Sequence, residues 1–482
     1  MALLRPVLYT IGLLLSVIGA AMLLPAVVDA VAGNPDWQAF AISGSITLFT
    51  AGSLTLGLMV KEVRLDLRQA FLLTALSWTV CAAFAALPFR IAELRLDYAD
   101  AFFEAVSGLT TTGSTVLVGL DGMPPGILLW RALLQWMGGL GIIAMAIAIL
   151  PYLRVGGMQL FRTESSDRSE KVLPRPGQYA RAVAILYGAL TCLCALAYWA
   201  GGMTGFEAIA HAMTTLATGG YSTSDASMAH FDSPTVEWAA VFFMVLGALP
   251  FVLYLRIIGV DLAALWRDSQ VRTFVVFLVV VTLVLGLHLT LTMGTPLLDA
   301  LRLAAFNIVS VVTTTGYATA DYGAWGSFAV VLFFFLTFIG GCTGSTSGGI
   351  KIFRFQVLRL FVDRQLQRLY FPQGVVAQRY KGQPLPREVA SSVVGFFFIY
   401  AMGFTVLTLA LAATGLDLVT STSGAATALG NVGPGLGPII GPAGNFSTLP
   451  DLAKWLLSAG MLLGRLELFT VLILMLPGFW RW

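Results

Sequence analysis

Long apolar runs broken by short polar punctuation cover the whole 482-residue chain. Runs near the roughly 20 residues needed to cross a bilayer fall at about 7–31, 38–60, 69–89, 127–150, 180–200, 235–256, 273–293, 327–372 (interrupted), 388–413 and 452–480. The pattern predicts ten crossings. The first run is too long for the h-region of a signal peptide, about 7–15 residues, and a second follows at once, so a retained helix is expected. Between the spans lie four shorter apolar segments of about a dozen residues. Each leads into a stretch of small and hydroxyl residues closed by glycine: "FFEAVSGLTTTGSTV" (102–116), "IAHAMTTLATGGYST" (209–223), "AAFNIVSVVTTTGYAT" (304–319) and, more faintly, "TSGAATALGNVGPGL" (422–436).

These stretches are copies of one unit. Set on Gly113, Gly220, Gly316 and Gly433 they are 107, 96 and 117 residues apart, and a hydroxyl residue (Ser107, Thr214, Ser310, Thr427) stands six before each glycine. A segment of a dozen residues cannot cross a bilayer, so each reads as a re-entrant half-helix entering from outside, and the unit is helix, half-helix, extended loop, helix. Non-helical backbone at membrane depth is tolerated only where it lines a cavity or is buried in protein. Four such loops predict a pseudo-fourfold ring that brings successive carbonyl groups to one axis, where rings of oxygens replace the hydration shell of a monovalent cation. The four units are expected at 67–155, 178–262, 268–372 and 385–482, after an N-terminal helix pair at 1–66. The fold class is an all-α polytopic membrane protein of four helix–pore-helix–helix repeats around a central cation pore, plus those two helices.

Composition agrees and adds an orientation. The chain is 57% hydrophobic and 11% charged, against about a quarter charged for soluble domains. Segments around 61–68, 154–181, 256–272 and 351–388, with Arg5 and Arg481, hold 22 of the 28 Lys and Arg against nine acids; the alternate loops hold five basic residues and 15 acids. The positive-inside rule makes the basic set cytoplasmic, with both termini inside. The basic 152–181 and 363–388 segments are expected to touch lipid headgroups. Cys81, Cys192, Cys194 and Cys342 follow neither a zinc nor a redox spacing and read as packing residues.

Two features break the apolar pattern. "GGCTGSTSGG" (340–349) interrupts the 327–372 run, and such residues at mid-membrane read as a flexible loop partly blocking the path below the third Thr/Gly loop. Arg465 lies in the last span, where a charge usually faces an interior or aqueous path. Glu467, two residues on, is on another helical face and cannot pair with it by i,i+4 spacing. Lys351, at the end of the loop, is either a gating contact or a snorkelling anchor.

The motifs "TTTGST" (110–115), "ATGGYST" (217–223), "TTTGYAT" (313–319), "LGNVGPGLG" (429–437), "GGCTGSTSGGIKIFR" (340–354) and "GRLEL" (464–468) resemble the Trk/Ktr/HKT superfamily of potassium transporters over the whole chain, nearest the bacterial TrkH-type membrane subunit. The resemblance implies K+ as the transported ion and a selectivity filter of main-chain oxygens. The ligands would be Thr111 and Thr112, Thr218 and Gly219, Thr314 and Thr315, Asn431 and Val432, each pair preceding its anchor Gly113, Gly220, Gly316 or Gly433. Some relatives with serine at the first anchor favour sodium. The loop residues Gly340, Gly341, Gly344, Ser345, Thr346, Ser347, Gly348 and Gly349, with Lys351 and Arg465, would form the gate. The resemblance also implies a membrane homodimer, a cytosolic nucleotide-binding regulatory subunit (TrkA-like), and the bacterial inner membrane as location. No organic cofactor, no nucleic-acid partner and no enzymatic activity are expected.

Two rivals remain. Broken helices and mid-span acids also suit an ion-coupled (H+ or Na+) potassium symporter, with Glu467 the main candidate and Glu104, placed at the start of a pore helix, the second. "GSTSGG" (344–349) resembles a serine elbow, but G-x-S-x-G needs serine where Thr346 stands, and the three histidines have no evident carboxylate orienter.

Overall fold

The computed structural model describes residues 4–60, 65–148, 176–258, 263–372, 374 and 378–481. Most of the expected 152–181 loop therefore lies outside the described residues. Seven of the ten expected crossings form helices long and apolar enough to span a bilayer: Leu4–Ala32, Trp37–Gly57, Leu67–Ile91, Pro125–Met145, Ala180–Ala200, Ser269–Met293 and Arg387–Ala413. The other three are broken. The 235–256 run divides into Pro234–Ala248 and Phe251–Ile258 around Leu249 and Pro250, where proline cannot continue the ladder. The 327–372 run divides into Ser327–Leu336 and Ile352–Tyr370. The last run turns by 110° between Asp451–Arg465 and Leu468–Met475.

The four short segments are helices, Tyr98–Leu109, Gly205–Leu216, Leu297–Val312 and Leu418–Gly430. At 12, 12, 16 and 13 residues and about 1.5 Å per residue, none reaches across a hydrocarbon core of about 30 Å. Local chemistry fixes where helices begin. Asp66 and Gln69 form a capping box at Leu67, Thr204 and Glu207 form another at the second short helix, and Asp417 accepts from Val419 and Thr420 at the fourth. Each short helix is followed by its Thr/Gly loop and the second helix of its unit, giving four repeats in pseudo-fourfold arrangement.

Two surfaces set the packing. The N-terminal pair closes through small residues: a Cβ on Gly12 would come within 2.9 Å of Thr55 Cγ2, and one on Gly19 within 2.9 Å of Leu48 Cγ. Pro125–Ala148 is the wedge between the first two units. A Cβ on Gly138 would strike the Leu109 carbonyl at the end of the first short helix, and one on Gly139 would sit 3.0 Å from Ala217 Cα beyond the second. On the same helix Trp130 is fully buried, donates to the Ala85 carbonyl at 3.0 Å and meets Phe40 edge-on. Beyond Ile352–Tyr370 a hairpin pairs Arg379–Tyr380 with Gln383–Pro384, and Lys381 at its turn bonds Asp268 at 2.9 Å. Cys81, Cys194 and Cys342 are buried and Cys192 is exposed, all as free thiols.

The wedge makes a test of opposite signs. Gly138→Ala forces a side chain against backbone and is expected to destabilise by about 1–3 kcal/mol. Gly141→Ala, whose added carbon meets only Trp78 at 3.8 Å, is expected to be neutral or to stabilise by up to about 1 kcal/mol through helix propensity. Thermal unfolding in detergent compares the two.

Candidate functional site

Each short helix ends in the same way. A non-glycine residue takes the left-handed region: Thr111 (φ 53°), Thr218 (φ 49°), Thr314 (φ 61°) and Asn431 (φ 53°). The next backbone N–H reaches back to the carbonyl of the hydroxyl residue six before the anchor: Thr112 to Ser107 (2.8 Å), Gly219 to Thr214 (2.9 Å), Thr315 to Ser310 (2.8 Å) and Val432 to Thr427 (3.0 Å). This is a Schellman-type closure, and it explains why the spacing of six recurs. The closure suits glycine or asparagine; a β-branched residue there stores strain of about 1–3 kcal/mol. The loops are therefore not the plain extended strands expected from sequence. In the first three, the anchors also have positive φ, 89° at Gly113, 78° at Gly220 and 85° at Gly316, so left-handed and ordinary residues alternate.

The anchors close a ring in chain order. A Cβ on Gly113 would run into the Gly219 carbonyl, and one on Gly220 into the Thr315 carbonyl. One on Gly316 would lie 2.7 Å from Gly433 N, and one on Gly433 3.2 Å from Gly113 C. At Gly433 no left-handed angle calls for glycine; an added Cβ would press on the Gly113 backbone, which would have to give by a few tenths of an ångström. All eight residues preceding the anchors, Thr111, Thr112, Thr218, Gly219, Thr314, Thr315, Asn431 and Val432, are buried. Among the described residues, seven of their eight carbonyl oxygens accept no hydrogen bond from the protein; the exception, Gly219, accepts from Gln135 Nε2 at 2.7 Å. Buried carbonyls nearly always have a partner, so this concentration is a property of the site. It fits a cation held by main-chain oxygen, and no group of three or more His, Cys, Asp or Glu suited to a metal occurs among the described residues.

Side chains, most of them not singled out from sequence, brace the ring from behind. Arg131, 1% exposed, pairs with the fully buried Glu104 at 2.8 Å, donates to the Ser222 carbonyl at 2.7 Å and covers the Tyr221 ring at 4.0 Å. Glu104 accepts from Val116 N and Thr115, and Tyr221 Oη donates to the Glu104 carbonyl at 2.9 Å, so one ion pair joins the first and second loops. Glu104 stands inside Tyr98–Leu109, not at its start. Gln135 Oε1 accepts from Tyr221 N at 3.0 Å, so one amide clamps both sides of Gly220. Tyr317 Oη meets Thr214 at 2.5 Å and donates to the His211 carbonyl at 3.1 Å, joining the second and third loops. Ser114 donates to the Gly433 carbonyl at 2.7 Å and Asn431 Nδ2 to Thr112 Oγ1 at 3.0 Å, joining the fourth and first. Arg131 was visible as a lone charge in the 127–150 run; Gln135 and the tyrosines carried no such signal. Outside the spans, hydrogen bonding from Ser224 holds the Asp121 carboxyl below the usual range, with His230 3.6 Å away.

The interrupting loop lies against this ring. Its neck is closed by a bridge between Ile339 and Ile350, with Gly340 N to Ile350 O and Ile350 N to Phe338 O both at 3.0 Å. Gly341 packs on the Ala248 carbonyl, and Gly344 and Gly349 have φ of 79° and 64°. Ser345 donates to the Cys342 carbonyl, and Thr346 Oγ1 bonds the Leu216 carbonyl (3.0 Å), the Gly247 carbonyl (2.9 Å) and Thr218 Oγ1 (3.1 Å). Gly348 N donates to Thr314 Oγ1 at 2.7 Å, and Lys351 Nζ donates to the Ser347 carbonyl. Arg465, 3% exposed, ends Asp451–Arg465 at the 110° bend and donates from Nη1 to the Thr346 carbonyl at 2.8 Å. Glu467 pairs instead with Arg354 at 2.6 Å, whose guanidinium lies 3.7 Å over the Phe396 ring. His211 bonds Ser222 Oγ and the Glu207 carbonyl, not the hydroxyls of the 344–349 loop.

Comparison with known proteins agrees with this architecture. The TrkH family model, described as cation transport protein, matches residues 37–478. The chain is 50% identical to the Trk system potassium uptake protein TrkI of Halomonas elongata over 480 residues, covering 99% of this chain and 97% of that one. It is 40% identical to the Trk system potassium uptake protein TrkH of Escherichia coli K12 over 485 residues, covering 99% of each. The crystal structure of the potassium transporter TrkH from Vibrio parahaemolyticus superposes with a TM-score of 0.91 at 40% identity, covering 99% of each chain. This chain is a member of the TrkH family of cation transport proteins.

Proposed function

We propose that this chain carries potassium into the bacterial cell across the cytoplasmic membrane through a channel-like path. The observation that supports this best is the closed ring of four loops whose buried carbonyls, seven of eight, take no donor from the described residues. Oxygens already held in place and short of partners stand in for water around a dehydrated monovalent cation. The ligands are the carbonyls of Thr111, Thr112, Thr218, Gly219, Thr314, Thr315, Asn431 and Val432. Gly219 is the weakest of the set because its oxygen already serves Gln135. The four short helices aim their partly negative C-terminal ends at the same ring, which favours a cation there.

The 340–349 loop and Arg465 form the gate on the inner side of the ring. Arg465 holds Thr346 while its fixed charge raises the barrier to a passing cation, and Lys351 pins the loop's far end through Ser347. The repeat boundaries read from sequence, both termini in the cytoplasm, a homodimer, lipid contact by the basic loops and a TrkA-like cytosolic regulatory subunit belong to the same proposal. Coupled symport is less well supported. Both acids suggested for coupling are held by arginines, Glu104 by Arg131 and Glu467 by Arg354.

Purified protein in liposomes tests the transport reading. Potassium and rubidium flux is expected to exceed sodium flux and to be unaffected by collapsing a proton gradient; strict dependence on the gradient would establish symport, and no cation flux would sink both readings. Gly113→Ser is expected to lower the potassium-to-sodium permeability ratio severalfold, measured as a reversal-potential shift. Arg465→Ala is expected to raise rubidium flux about tenfold, equal to about 1.4 kcal/mol off the barrier; unchanged or lower flux in folded protein would count against the gate.

A further inference from the structure

Arg465 uses only part of its donor capacity. Among the described residues, Nη1 bonds Thr346, but Nε and Nη2 are buried without a protein partner, and so are the hydroxyls of Ser347 and Thr343. All three side chains line one cavity with about 30 Å³ of room, walled also by Lys351 and Glu467. The charges around it do not balance. Among the described residues, the one carboxylate lining it, Glu467, is paired with Arg354, which leaves the Arg465 guanidinium and the Lys351 ammonium, held on the Ser347 carbonyl, in excess. An arginine stays charged at any relevant pH, and a buried charge without a counter-charge costs several kcal/mol.

Each simple occupant can be weighed against this wall. A cation would meet two positive groups and a row of N–H and O–H donors. Water satisfies donors but leaves the charge uncompensated. A small anion does both, since each unspent group can donate to it. The cavity's room exceeds the roughly 10–15 Å³ needed to seat one water-sized particle, so it admits a monatomic halide.

We infer that the cavity between the 340–349 loop and Arg465 binds a small monovalent anion of the chloride class, which holds the loop in its blocking position. The inference rests on the gating reading of the loop. The anion ties Arg465 on one helix to Ser347 and Thr343 on the loop, so it stabilises the arrangement in which these groups are together. A ligand that binds one conformation shifts the balance toward it by the factor 1 + [L]/Kd. An anion site beside a cation path therefore works as a brake, and chloride on the inner side lowers potassium flux.

The test uses the full-length protein in liposomes, with rubidium flux measured in chloride and in methanesulfonate at equal ionic strength. Flux is expected to be about threefold or more lower in chloride, as for a ligand at twice its Kd or above. Ser347→Ala is expected to raise the half-inhibitory chloride concentration, and Arg465→Ala to abolish chloride sensitivity. Crystals grown in bromide are expected to give an anomalous peak beside Arg465, a readout independent of flux. Equal flux in the two anions, with Arg465→Ala still raising it, overturns the anion site and leaves the gate standing. Absence of the bromide peak overturns the site whatever the flux.

Discussion

A backbone carbonyl at membrane depth must find a donor or a cation, and this requirement organises the molecule. Among the described residues, the four Schellman-type closures leave consecutive carbonyls beyond the helix ends without backbone N–H partners. Such a backbone is costly unless its surroundings hold it rigidly and an ion completes it. The buried ion pair Arg131–Glu104, the Gln135 amide, the Tyr317 hydroxyl and the Asn431 amide then have a common role. They satisfy the outer surface of the loops so that the inner surface stays open. The bracing also meets the strain of threonine in the left-handed region, because a loop bonded on both sides of its anchor cannot relax toward an ordinary angle.

The bracing is uneven around the ring. Side-chain hydrogen bonds join the first and second loops, the second and third, and the fourth and first. Between the third and fourth, the described residues provide backbone contact at Gly316 and Gly433, with Gly348 of the interrupting loop bonded to Thr314 and packed on the Gly430 carbonyl. The interrupting loop thus supplies the polar link at the junction where the third and fourth loops meet by backbone contact. Displacing it alters the surroundings of Thr218 and Thr314 as well as the space below them.

Much of this was legible in the chain. The four copies, their half-length helices and their glycine anchors follow from spacing alone, because a repeat fixes architecture and a dozen residues cannot cross a bilayer. The interruption at 340–349 and the lone Arg465 stood out against apolar surroundings. What stayed hidden depended on long-range pairing. Glu467 looked like a free acid because its partner, Arg354, is 113 residues away in sequence. Gln135 and Tyr221 are ordinary residues in membrane proteins until folding sets them on either side of Gly220. The 235–256 and 452–480 runs read as whole crossings because hydropathy does not register a kink; only Pro250 marked the first. The fourth loop, the odd one by sequence, obeys the common closure, with Asn431 better suited to its angle than the threonines it replaces.

Fusing the four quarters into one polypeptide has a consequence of its own. A ring assembled from identical subunits must repeat every device four times, and four guanidinium groups around one axis would be a permanent plug. Here three of the second helices are broken, each differently, while Pro125–Ala148 runs through as one piece. Covalent linkage frees each quarter to specialise: one second helix stays unbroken, one is interrupted by the 340–349 loop and one ends in the single charge of Arg465. In the transport proposed above, near-symmetry serves the ion, and departure from symmetry makes control possible.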